Sequence, residues 1–75
     1  SRAEEADRNY STAGVKHGML SDRGMIYIRF GRPDNVNREY PQKGNVREVW
    51  EYSDLKAKFV FEDKSGLGKF ELRKH

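Results

Sequence analysis

The sequence predicts an α+β fold: an N-terminal helical segment packed on a small antiparallel sheet of about four strands. Two observations carry this. Apolar residues recur at spacings of three and four only near the start of the chain, and alternate with period two afterwards. The last connections are also short, which ties consecutive strands into a meander.

Residues 3–17 read as a helix with Ala3, Ala6, Tyr10, Ala13 and His17 on one face. Glu4, Glu5 and Asp7 sit in the early turns, where the helix dipole favours acids. Asn9, Ser11, Thr12 and Gly14 are poor helix formers, so fraying is expected, with Gly18 as C-cap. The segment's apolar residues are mostly small, so it is expected to bring little core.

Ser21-Asp22-Arg23-Gly24 reads as a turn. Met25–Phe30 then alternates, with Ile26, Ile28 and Phe30 on one face, and reads as the first and clearest strand. Gly31–Asn45 reads as a long loop opened by Gly31-Arg32-Pro33-Asp34-Asn35. Pro33 fixes its own φ and pushes Arg32 out of the helical region. Val36 and Tyr40 are the only large apolar residues there.

Val46–Tyr52 is the second strand, with Val46, Glu48, Trp50 and Tyr52 on one face and Val49 on the other. Lys58–Glu62 is the third, with Phe59 and Phe61 sharing a face. Asp63–Gly68 is a hairpin loop in which Gly66 or Gly68 is expected at positive φ. Lys69–Arg73 is the fourth strand, with Phe70 and Leu72 inward. Trp50 is expected to be buried against Phe59 or Phe61. The organisation is therefore a helical lead-in, residues 1–17, and a sheet domain, residues 18–75, with a long 31–45 loop. Both make a single domain, read as a fragment of a longer protein.

Composition excludes several classes. There is no cysteine, so no disulfide framework and no thiolate metal site. The longest apolar run, Met25–Ile28, is four residues, so nothing inserts in a membrane. The net charge is +3, from 15 basic and 12 acidic residues, and the two signs are mixed along the chain.

No catalytic, cofactor or metal site is legible. The two histidines, His17 and His75, have no nucleophile pattern beside them, and His17 reads as a capping or solvated residue. Glu48 and Glu51 lie on opposite faces of their strand and do not pair; Glu48 instead suits a salt bridge across the sheet. Asp63-x-Ser65-Gly66 lacks the later acids of a calcium loop and reads as a turn. Gly66-Leu67-Gly68-Lys69 leads into a strand, not the helix N-terminus that a phosphate cradle needs. Nucleic-acid binding is the alternative function. Tyr27, Trp50, Tyr52, Phe59 and Phe61 on strands, with Lys56, Lys58, Lys64, Lys69, Arg73 and Lys74, are the residue types that stack bases and hold phosphates. In so small a domain the aromatics are needed for the core, so no nucleic acid is expected.

Four segments in order carry a resemblance. They are Gly18–Gly24 (GMLSDRG), Ile26–Asp34 (IYIRFGRPD), Glu48–Tyr52 (EVWEY) and Phe59–Leu72 (FVFEDKSGLGKFEL). Residues 18–72 resemble the C-terminal part of the GWxTD domain family of bacteria. Met19 stands where that family has its tryptophan and Ser21 where it has threonine. The resemblance implies a non-catalytic interaction or structural module of an exported, periplasmic or cell-envelope protein, with a protein partner and no cofactor. The candidate interaction surface is Arg32, Asp34, Arg38 and Tyr40, beside Trp50 and Tyr52.

Overall fold

The computed structural model describes residues 1–73; Lys74 and His75, named above, lie outside the described residues. Two helices, α1 (Arg2–Tyr10) and α2 (Asp22–Phe30), flank a short 3-10 helix (Gly18–Leu20). Four strands follow: β1 (Asn35–Glu39), β2 (Val46–Tyr52), β3 (Ala57–Asp63) and β4 (Phe70–Leu72). They form one antiparallel sheet in the order β1-β2-β3-β4. The α+β class and the four-stranded sheet match the expectation, but one strand is not the expected one.

Met25–Phe30 is helical, not a strand. Ser21 caps α2, its hydroxyl accepting from the Gly24 N–H at 3.0 Å. Gly31, at φ 83°, ends it, its N–H donating to the Tyr27 carbonyl at 2.7 Å. The Arg2 guanidinium donates to the Ile28 carbonyl at 3.1 Å and so satisfies another helix-end group. Arg23, Ile26, Tyr27 and Phe30 fall at i, i+3, i+4 and i+7, and these positions pack inward.

The missing strand comes from the expected 31–45 loop. Asn35–Glu39 pairs with β2, placing Val36 opposite Trp50 and Arg38 opposite Glu48. β2, β3 and β4 lie where expected within a residue or two, and Val49 sits opposite Val60, Trp50 opposite Phe59 and Asp63 opposite Phe70. Gly66 and Gly68 both hold positive φ, 76° and 87°.

α1 is shorter than the predicted 3–17 helix. Ser1 and Glu4 form a capping box at its start. Ser11 stops it: the Ser11 hydroxyl donates to the Asp7 carbonyl at 2.5 Å and accepts from the Gly18 N–H at 3.0 Å. Gly18 therefore opens the 3-10 helix and does not cap α1. Residues 12–14 then dock on the β3–β4 hairpin, the Gly14 N–H donating to the Leu67 carbonyl at 2.8 Å.

The core is Ala6, Tyr27, Trp50, Tyr52, Phe61 and Phe70. Trp50 and Phe61 meet edge-on with centroids 4.9 Å apart, the packing expected of Trp50. The lead-in contributes more than expected. Ala6 is fully buried, and Tyr10 wedges between Tyr27 and Trp50 at 5.7 and 5.5 Å. Burial pushes the Tyr10 hydroxyl up to about 12.

Candidate functional site

Ser21–Gly24, expected as a turn, form the cap and first turn of α2, and with Gly18 they are consumed by the fold. A Cβ on Gly24 would lie 2.0 Å from the Gly18 carbonyl oxygen, and one on Gly18 would lie 2.5 Å from the Ser11 nitrogen. Ser21 caps α2, and Asp22 accepts from the Leu72 N–H of β4 at 2.6 Å. Arg23 is buried and stacks over the rings of Tyr10 and Phe70 at 4.9 and 4.5 Å. Met19, at the family's tryptophan position, stays partly exposed.

Arg23 leads to a buried polar centre. The Glu48 carboxylate accepts from Arg23 Nη1 at 3.3 Å, Arg38 Nη2 at 2.6 Å and Trp50 Nε1 at 2.7 Å. Burial alone raises the Glu48 carboxyl, but the hydrogen bonds from Trp50 and Arg38 and the charges of Arg23 and Arg38 outweigh it and hold the group below its ordinary range. Three donors from α2, β1 and β2 converge on it, so the carboxylate anchors these elements to one another. It makes the cross-sheet salt bridge expected of Glu48.

Asp63 is likewise spent on structure. It accepts from the Ser65 hydroxyl at 2.8 Å and from the N–H groups of Gly66 and Gly68 at 3.1 and 3.0 Å. Burial pushes its carboxyl up, and these bonds together hold it below the ordinary value. That is the expected turn. Among the described residues no group of three or more His, Asp or Glu side chains is placed to hold a metal ion. A cleft of about 280 Å³ lies between Val15, Leu20 and Phe70, with His17 and Lys69 among its lining residues. His17 is exposed there and precedes the 3-10 helix without a side-chain cap bond.

The proposed surface divides. Trp50 and Tyr52 are 1% and 5% exposed and belong to the core, so they are not surface residues. They face the helices because β2's inward face is the covered one, and the Tyr52 hydroxyl is used on the Gly31 carbonyl at 2.8 Å. Arg32, Asp34, Arg38 and Tyr40 are exposed and lie along or beside β1. Asp34 accepts from the Ser53 N–H at 2.6 Å and fixes the entry to the strand.

β1 is an edge strand, and all five of its residues are exposed. Its inward-directed positions are not covered by the helices: Val36 is 52% exposed and Tyr40, just past the strand, 71%. No sequence period announces this, because Asn35-Val36-Asn37-Arg38-Glu39 is polar on both faces except at Val36.

Helices on one sheet face and an open first edge define a small two-layer α+β domain with a free β-strand. Compared with protein-family models, the whole chain, residues 1–75, matches the GWxTD domain, and the chain belongs to that family. The match extends past the 18–72 stretch that carried the resemblance and includes the helical lead-in. No curated protein and no solved structure matches the chain.

Proposed function

We propose that this domain is a non-catalytic interaction module of an exported, cell-envelope-associated bacterial protein, and that it engages a protein partner through β1. The exposed edge strand carries the reading: a row of unpaired backbone groups beside Val36 and Tyr40 is a ready template for another chain. Arg32, Asp34 and Arg38 supply flanking charge. The buried network around Glu48 holds Arg38, and through it β1, in a fixed position.

The test is site-specific photo-crosslinking in the native host. A photoreactive residue replacing Tyr40 in the intact protein should give adducts with an envelope protein. The same residue at Asp54, on the exposed β2–β3 turn, should not. Equal adducts at both positions, or none at Tyr40, would overturn the proposal.

A further inference from the structure

The two edges of the sheet are finished differently. At β4 the Leu72 N–H is taken by the Asp22 carboxylate, and the strand is only three residues long. Among the described residues β1 has no comparable cover, and its polar side chains are turned onto β2. Arg38 bonds Glu48 at 2.6 Å, Glu39 pairs with Arg47 at 3.2 Å, and Asn37 reaches Glu51 at 3.5 Å. Natural edges are commonly guarded by charges, proline or bulges. Here the charged side chains of the strand pair within the molecule, Arg38 with Glu48 and Glu39 with Arg47, and Pro33 stands outside the paired residues.

We infer that β1 pairs with β1 of a second copy of this chain, antiparallel about a two-fold axis at Val36. This rests on the reading of β1 as the interaction surface and names its partner. An isologous strand pair must match each residue with one on the same sheet face. Centred on Val36, the register sets Val36 against Val36 of the second copy, Asn35 against Asn37, and Asp34 against Arg38. Half-exposed apolar side chains meet at the axis, and opposite charges meet on both sides. Centring on Arg38 would instead oppose two arginines. Asp34 meets Ser53 through Oδ2, leaving Oδ1, and Arg38 shares the single Glu48 carboxylate with Arg23, so one positive charge of that centre is left uncompensated. The result is a continuous eight-stranded sheet, twice the four strands of one copy.

One strand pair buries well below the roughly 1,200 Å² of a stable complex, so dissociation is expected between roughly 10 µM and 1 mM. Sedimentation of the chain should therefore shift from monomer to dimer as concentration rises to about 1 mM. Val36→Lys and Val36→Glu should each sediment as folded monomers, since Val36 is exposed, and an equimolar mixture of the two should restore the dimer. A wild-type chain that stays monomeric to about 1 mM overturns the inference. So does a dimer unaffected by Val36→Lys, or a mixture that fails to recover. A monomeric wild type whose Tyr40 adducts join a different protein would overturn this inference and leave the proposed function standing.

Discussion

Glu48 concentrates the energetics of the fold at one residue. Its carboxylate is buried, and it is the partner of both the buried Arg23 and the edge residue Arg38, which is 41% exposed at its side chain. Replacing one member of such a centre leaves a buried charge uncompensated. Glu48→Gln is therefore expected to cost about 3–5 kcal/mol in chemical denaturation. The pH dependence has a definite sign. The folded-state pKa lies below the ordinary 4.5, so the stability Glu48 supplies is fully present above that value. It is lost as pH falls from there through the lower folded value. Urea midpoints taken across that interval should fall steeply for the wild type. They should fall less in Glu48→Gln, where Asp63, also held low, contributes much of what remains. Equal slopes in the two proteins would show that Glu48 is not the group titrating.

Among the elements, α2 separates what the sequence shows from what it conceals. Ile26, Ile28 and Phe30 alternate as in a strand, but Arg23, Ile26, Tyr27 and Phe30 carry an equally regular helical spacing. The second pattern is hidden because its first inward residue is an arginine, and burial of Arg23 depends on Glu48, 25 residues away. β1 was illegible for the opposite reason: an edge strand exposed on both faces needs no apolar period. β2, β3 and the Phe70–Leu72 strand were legible because one face is covered, which imposes alternation. The same limit divides the candidate surface. Arg32, Asp34, Arg38 and Tyr40 are polar or amphipathic and stay exposed, whereas Trp50 and Tyr52 point to the face that the helices cover. The α2 packing makes a prediction. Gly→Ala in an exposed helix stabilises by about 1 kcal/mol. In Gly24→Ala the added Cβ meets the Gly18 backbone carbonyl, so the sign should reverse, with a loss of about 1–3 kcal/mol. A raised urea midpoint for Gly24→Ala would contradict the close Gly18–Gly24 contact.

Across the whole molecule, the arrangement of aromatics and charges bears on the alternative of nucleic-acid binding. A stacking platform needs aromatic faces open to solvent beside free cations. Here Trp50, Tyr52, Phe61 and Phe70 are in the core under the helices. The opposite sheet face presents Val49 and Val60 amid Asn37, Glu39, Arg47, Glu51, Lys58 and Arg73, an array of both signs without an aromatic residue. Of the arginines, Arg23 and Arg38 are committed to Glu48, and Arg47 to Glu39. With a net charge of +3, few phosphates can be neutralised at once, and the attraction that remains is of the kind salt removes. Fluorescence anisotropy with single-stranded RNA and DNA oligonucleotides at about 150 mM salt is thus expected to show no sub-micromolar binding. Affinity that survives that salt would require an exposed stacking surface that the buried aromatics do not provide, and would transfer the functional reading from the β1 edge to a nucleic-acid site.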